Sequence, residues 1–326
     1  MIADLLPDTS SDPPSELNRQ TIWSILTGEQ RERVHQPQEK QETDISIHRS
    51  TQNNDEPMNP PAASATSRIL QWASGHLADY DARQPGSMFA NGIVLDVSQG
   101  YELQSAVTEL RRGRGDRTIG YKVGCTSPKI RAQLGIDHCV TGRLFESEQH
   151  ISGVELSREN FATLAIEGEL AVELLHEPSE DNIAETGIPT CIARVFPVIE
   201  LHHHVMRGDQ PSAGELIANN ALHAGFIAGD GVHPADITGE PSLESATLSI
   251  FADNQLLDEC SGPSLVQTIR SSLNWLTKIV HQRGDRLRAG QIILTGSISK
   301  LIPITHDCVL RVEAPPFGNV DVKLLP

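Results

Sequence analysis

Aromatic side chains are scarce in this sequence, and long apolar runs are missing. Phe, Trp and Tyr together make up 4% of the 326 residues, so a core must be built mainly from aliphatic side chains. No window approaches the ~20 consecutive apolar residues that a bilayer-spanning helix needs. The opening Met-Ile-Ala-Asp-Leu-Leu-Pro-Asp lacks the basic start and apolar stretch of a secretory signal. The five cysteines, Cys125, Cys139, Cys191, Cys260 and Cys308, are odd in number, widely separated and form no C-x-x-C pair. That spacing argues against a disulfide framework and a zinc–thiolate site, and a reducing cytoplasm is the expected compartment. Positive charge is also short: 26 Lys and Arg against 43 Asp and Glu leave a net charge of −17. With no basic run, the chain repels phosphate backbones, so neither nucleic acid nor membrane is an expected partner.

The length allows two domains, or one large domain with a tail. Residues 1–65 carry 11 acidic and 5 basic side chains among many Gln, Ser, Pro and Asn, with no apolar cluster except at 22–26. Such a stretch buries too little surface to offset its ordering entropy, and a disordered tail is expected there. An over-extended start, with Met58 as the true first residue, is the alternative.

Ile69, Leu70, Trp72, Ala73 and Leu77 recur at helical spacing, and a second helix is predicted over Ser98–Arg112, with Leu103, Ala106, Val107 and Leu110 on one face. From Thr118 short apolar segments alternate with Gly, Pro and Asp. Strands are predicted over Ile119–Gly124, Ile166–Leu175, Ala193–Leu201, Ala224–Ala228, Ala246–Ala252, Gln291–Thr295, Cys308–Val312 and Asn319–Leu324. One further helix fits Ser264–Arg283. Helices at 66–117 followed by a strand-rich body at 118–326 indicate an α+β fold. No internal repeat is visible.

In Ala165–Val172 the apolar pattern is broken only by Glu167, Gly168 and Glu169. On a strand the two glutamates project to the same side, and Gly168 between them leaves room for a ligand or a backbone to approach. Two carboxylates forced together in a partly apolar setting repel, and a cation resolves the conflict. A second apolar strand carries Glu200. Three carboxylates without a thiolate suit a hard cation such as Mg²⁺ or Mn²⁺. The competing reading places these acids on a solvent-facing side, paired with Lys or Arg. His202-His203-His204 reads as a hydrophilic strand end, although His202 and His204 share a face.

With those residues in view, the chain from about Ser67 to Pro326 resembles the fumarylacetoacetate hydrolase superfamily, on the branch of 2-oxopent-4-enoate hydratases and 4-oxalocrotonate decarboxylases. The resemblance is carried, in order, by Glu109–Gly115, Gly120-Tyr-Lys-Val-Gly-Cys-Thr-Ser-Pro128, Gln133–Asp137, Gly142-Arg-Leu144, Ile166-Glu-Gly-Glu-Leu170, Pro197-Val-Ile-Glu200, Ala218-Asn-Asn-Ala221 and Ile292–Ser297. It implies a mixed β-sandwich roll with N-terminal helices and a homo-oligomer. It also implies that Glu167, Glu169 and Glu200 ligate a divalent metal, Mg²⁺ or Mn²⁺, which is chelated in turn by the carboxylate and 2-oxo group of a small 2-oxo acid. The implied chemistry is hydration of a 2-hydroxydienoate, through an enolate whose charge the ion stabilises.

Lys122, mid-strand between glycines, is then expected to point into a pocket, where it steadies charge or transfers protons. Thr295 and Ser297, flanking Gly296, are expected to grip a carboxylate. Asn220 either hydrogen-bonds substrate or water, or caps a loop. The pattern departs from the branch at three places. Val140 stands where hydratases commonly carry a proton-transfer acid, leaving Asp137 or His138 to replace it. Asn219 replaces an aspartate, and Ala165 a basic residue. The loss at Val140 makes a 4-oxalocrotonate-type decarboxylase the alternative. An acylpyruvate hydrolase, with its base drawn from His138, Glu146, Glu148 or His150, and a non-catalytic 2-oxo-acid binding protein are further alternatives.

Overall fold

The computed structural model describes residues 65–84, 86–184, 187–203, 205 and 212–326. The expected tail, Met58 and His204 lie outside the described residues.

Two long helices and a four-residue helical turn, Ser87–Ala90, precede the sheets. Helix α1 spans Ala65–Asp81 and α2 spans Val97–Gly113. Asp96 caps α2: its carboxylate accepts the Gln99 amide, while the Gln99 side chain accepts the Asp96 amide. This reciprocal box satisfies two otherwise orphaned donors, and typically contributes about 1 kcal/mol. The Gln104 side chain on α2 donates to the carbonyls of Thr141 and Ile217, 2.8 and 2.9 Å away, and so ties the helix to the sheet below.

The body is two sheets. The larger contains β1 (Thr118–Gly124), β2 (Val140–Phe145), β3 (Gln149–Ile151), β5 (Leu164–Leu174), β6 (Ile192–His203), β7 (His223–Ala228), β10 (Ile292–Leu294) and β11 (Ile302–Pro303). Its order is β2-β1-β10-β5-β6-β7-β3, with β11 also paired to β5. The β1–β10 and β3–β7 pairs are parallel and the others antiparallel. The smaller sheet runs β4-β13-β12-β8-β9, from β4 (Val154–Ser157), β8 (Thr247–Ala252), β9 (Gln255–Ser261), β12 (Cys308–Glu313) and β13 (Asn319–Leu325). Helices α3 (Pro128–Leu134), α4 (Ala213–Ala218) and α5 (Pro263–Gln282), with a five-residue helical turn at Glu180–Ala184, pack around the sheets.

The alternation of β5 decides which side meets what. Ile166, Leu170 and Val172 turn toward the smaller sheet and share one core with Ile250, Leu310, Val312, Val320 and Val322. Each such aliphatic side chain contributes about 1.5–3 kcal/mol on burial. Helix α5 closes this core with Leu265, Ile269, Leu273, Leu276 and Val280, at the 3.6-residue repeat. Gly168 belongs to this face too. A Cβ there would come within 2.8 Å of the Ile250 side chain and 3.1 Å of Val312. The close approach it allows is therefore sheet against sheet. The ligand or backbone expected from the sequence is on the wrong side, because glutamates and glycine alternate across the strand. Glu167 and Glu169 are left on the opposite face, toward β1, β2 and the helices.

Candidate metal centre

Register brings the acids together. Glu167 on β5 is directly opposite Glu200 on β6, and Ala165 is opposite His202. Like charges directly opposed on paired strands repel, and here both strands lie within the body of the molecule. Glu200 is 1% exposed, Glu169 2%, and Lys122, reaching in from β1, 4%.

The Lys122 ammonium sits 2.8 Å from Glu200 Oε1 and donates to the Ala221 carbonyl at 3.2 Å. Burial opposes its charge, but Glu200, Glu167 and Glu169 outweigh that and hold its pKa above the ordinary lysine value. Two local features let the side chain through. Asn220, Ala221 and Leu222 all adopt left-handed backbone, with φ of 54°, 53° and 65°, which aims the Ala221 carbonyl at the ammonium. Such strain costs of order 1–3 kcal/mol per residue and persists where the surroundings enforce it. Gly142, on the neighbouring strand, has no Cβ to strike Lys122 Cγ, which would otherwise be 2.8 Å away.

Glu200 Oε1 also accepts a hydrogen bond from His223 Nδ1 at 2.7 Å. Burial works against ionisation of Glu200, but Lys122 and His202 hold its pKa well below the usual carboxylate range. Glu169 moves the other way: burial, then the nearby Glu200 charge, push it well above that range. One Glu169 oxygen takes the amide of Gly296. Several buried atoms in this group find no partner: Glu169 Oε1, Glu200 Oε2, both ring nitrogens of His202, and His223 Nε2. Unpartnered buried polar atoms are costly, and a set of carboxylate oxygens and ring nitrogens of this kind fits the binding of a cation. Among the described residues, Glu167, Glu200 and His202 offer ligand atoms that all lie within 4.8 Å of one another. Glu169 lies beside this trio, one pleat along β5.

Lys122, Glu167 and His202 line a cleft of about 260 Å³, walled by Val123, Val140, Leu216 and Leu222 and bordered by Ser297 and Lys300, whereas Glu169 and Glu200 do not reach its lining. Its titratable lining is Lys122, Cys125, Lys129, Glu167, His202 and Lys300. Burial raises the Cys125 thiol to about 12, so it is inert there. Arg131 shapes the rim by donating to the carbonyls of Cys125 and Thr126 at 3.1 and 2.7 Å.

The other residues singled out from the sequence fall in varied places. Ser297 lines the cleft, with its hydroxyl donating to the Ser299 carbonyl at 3.0 Å. Thr295 does not line it; its buried hydroxyl donates to the Leu170 carbonyl at 2.7 Å. The carboxylate gripped beside Gly296 is the protein's own Glu169. Asn220 clamps β2, accepting the Arg143 amide at 2.6 Å and donating to its carbonyl at 2.9 Å. Asp137 is 97% exposed outside the cleft, and His138 Nδ1 contacts the carbonyl of Cys139. Val140 is fully buried in the cleft wall.

The hydrophilic-end reading of the histidine run is corrected. Strand β6 continues through His203, and both His202 and His203 are buried. His202 faces the acids, and His203 faces away, accepting the Ala162 amide at 3.0 Å. The His203 ring packs against Tyr80, on α1, and Phe161, both far away in sequence. No local pattern reports that cover, and the only signal was His202 at i+2 from Glu200.

No family model matches the chain. Among curated proteins it is 24% identical over 225 residues to a 2-keto-4-pentenoate hydratase of Burkholderia vietnamiensis, covering 69% of this chain and 85% of that protein. It is also 24% identical over 226 residues to a 4-oxalocrotonate decarboxylase of a Pseudomonas species, covering 69% and 86%. Among solved structures, the 4-oxalocrotonate decarboxylase of Pseudomonas putida G7 complexed with magnesium and adipate superposes with a TM-score of 0.70, at 19% identity, over 80% of this chain and 98% of that one. The calcium and acetate complex of the same protein gives 0.68, at the same identity and coverage. The α+β fold with N-terminal helices and mixed sheets, expected from the sequence, is the fold these structures share.

Proposed function

We propose that the chain belongs to the 2-keto-4-pentenoate hydratase and 4-oxalocrotonate decarboxylase branch of the fumarylacetoacetate hydrolase superfamily, and that it is a metal-dependent lyase hydrating a small 2-hydroxydienoate; its similarity to proteins of both names supports this. The observation that carries this reading is the set of buried, unpartnered carboxylate oxygens of Glu169 and Glu200 beside Lys122, which lines the cleft with Glu167 and His202. Glu167, Glu169 and Glu200 would hold a divalent cation, Mg²⁺ or Mn²⁺. When bound, that ion supplies positive charge where a 2-oxo oxygen gathers negative charge on becoming an enolate.

The chain's own residues supply the rest. Lys122 holds a fixed ammonium beside the acids, placed to receive a substrate carboxylate or enolate. Its distance from Glu200 is set by the Ala221 carbonyl and by the Gly142 gap. The Ser297 hydroxyl borders the space above Glu167, where it can turn to a carboxylate oxygen. Val123, Val140, Leu216 and Leu222 keep bulk water from the reacting carbons, which strengthens each of these polar contacts. A homo-oligomer and a reducing cytoplasm complete the reading; all five cysteines are free thiols.

Decarboxylation of a 4-oxalocrotonate-type substrate is the second reading, favoured by Val140. An apolar residue fills the position where a hydratase of this branch commonly carries its proton-transfer acid, and Asp137 is too far outside to replace it. The hydrolase reading has less support, because His138, Glu146, Glu148 and His150 do not line the cleft. The test is loss of ultraviolet absorbance by 2-hydroxypenta-2,4-dienoate, 4-oxalocrotonate, acetylpyruvate and oxaloacetate, each with Mg²⁺ or Mn²⁺ and with excess chelator. Turnover of the dienoate that stops on chelation is the expected result. Undiminished turnover in chelator, or turnover of acetylpyruvate alone, overturns the reading.

A further inference from the structure

His202 is the feature that a purely carboxylate site leaves without a purpose. It is 3% exposed, and neither ring nitrogen has a hydrogen-bond partner. It lies two residues beyond Glu200 on the same face of β6, across from Ala165. Its Nε2 stands 3.4 Å from Glu167 Oε2 and 3.5 Å from Glu200 Oε2, equidistant from the two acids. Those distances are long for hydrogen bonds. They suit ligand atoms around one ion: donors ~2.1 Å from a common cation stand roughly 3.0–3.4 Å apart at octahedral and tetrahedral angles. Glu200 divides its two oxygens accordingly. Oε1 is occupied by Lys122 and His223, whereas Oε2 is unpartnered and turned toward His202.

We propose that His202 is a direct ligand of the divalent ion, so that this chain adds an imidazole to the carboxylates proposed above and builds a mixed centre whose inner group is Glu167, Glu200 and His202 with Glu169 beside it, one that prefers Mn²⁺ or a later first-row divalent ion to Mg²⁺. The inference rests on the metal-dependent reading above and specifies its cofactor. Imidazole nitrogen suits transition metals, whereas Mg²⁺ selects oxygen donors and retains its waters. The competing role for His202 is a buried imidazolium that balances the acids. The two roles differ in sign. Removing a ligand weakens ion binding, whereas removing a positive charge from the site tightens it.

The test uses the full-length protein, stripped of metal and titrated with Mn²⁺ and separately with Mg²⁺. Pulsed electron paramagnetic resonance of the Mn²⁺ form reads nitrogen coupling directly, before and after histidine is labelled with ¹⁵N. Expected are a directly bound imidazole nitrogen in the unaltered protein and its loss in His202→Gln but not in His223→Gln. His202→Gln is also expected to bind Mn²⁺ at least about tenfold more weakly, with Mg²⁺ affinity changed less than about threefold. The unaltered protein alone reports the coupling, so the test stands even if a variant fails to fold. Mn²⁺ binding without nitrogen coupling, or equal or tighter Mn²⁺ binding by His202→Gln, overturns the ligand assignment and leaves the lyase reading in place. Failure of the unaltered protein to bind either ion overturns both.

Discussion

Two buried charge clusters, one around Arg111 and one around Glu200, are built to different ends. Around Arg111, on α2, every part of the guanidinium is used. Asp116 takes one edge at 2.6 Å, Glu148 another at 2.6 Å, and the Phe145 ring covers the face at 3.5 Å to its centroid. Tyr80 donates its hydroxyl to Glu148. Burial opposes the Arg111 charge, but Glu148 and Tyr80 raise its pKa overall. Around Glu200 there are three acids and one lysine, with four ligand-type atoms of the acids and His202 left unpartnered. The first cluster pairs its cation with acids of the chain itself and fixes helix to sheet, with Glu148 Oε2 its one unpartnered atom. The second is open toward a cleft and needs something from outside. Burial alone does not separate scaffold from site; the number of orphaned atoms does, one around Arg111 against four on the acids and His202 around Glu200.

The contrast breaks most sharply at Arg111. Arg111→Met leaves Glu148 and Asp116 buried without a cation, and such losses cost about 3–5 kcal/mol. A large fall in the denaturant midpoint is expected, with turnover per folded molecule near normal. Normal stability would show that the two clusters do not differ in kind. The mirror experiment is Glu167→Gln, at a half-buried side chain. Metal-dependent turnover is expected to fall about 10²- to 10³-fold, the scale for removing one transition-state-stabilising group, while circular dichroism and the melting temperature stay close to those of the parent. Retained turnover would move the chemistry elsewhere.

His203 sharpens the comparison through pH. Burial, with His223, Arg83 and His202 nearby, lowers its pKa to about 4 from the ordinary 6.5. A histidine kept neutral in the fold binds fewer protons than in the unfolded chain between those values. Stability is therefore full above about pH 6.5 and declines as pH falls toward 4, by of order 3 kcal/mol in all. Melting temperatures followed across that window should fall, and the slope should flatten in His203→Gln; an unchanged slope in the variant would assign the effect to another group. Gly142→Ala is the mildest change. The added methyl meets Lys122 Cγ at 2.8 Å and the Asn220 carbonyl at 2.6 Å, and misplacement of the ammonium is expected to lower kcat about tenfold. An unaltered kcat would show that Lys122 does not act from that position.

Elements with a strong local pattern were legible before any coordinates. The helix expected over Ser98–Arg112 runs Val97–Gly113, and that expected over Ser264–Arg283 runs Pro263–Gln282. The strand over Ile166–Leu175 is observed at Leu164–Leu174. Strand β9 went unseen because it is an edge strand with an exposed, unalternating face. Strand β2 and the six-residue α4 went unseen because tertiary contacts, chiefly those to Gln104 on α2 and to Asn220, hold them in place. At the site, strand periodicity placed Glu167 and Glu169 on one face, but only register sets Glu200 opposite Glu167. The burial of His202 and the exposure of Asp137 come from packing between distant segments, which spacing along the chain does not encode.

Equilibrium dialysis of the chelator-stripped protein against Mn²⁺ tests the open cluster most directly. One ion per chain is expected, with binding abolished in the Glu167→Gln, Glu200→Gln double variant. No binding by the parent protein, or the same stoichiometry in the double variant, would contradict the assignment of these acids to a metal.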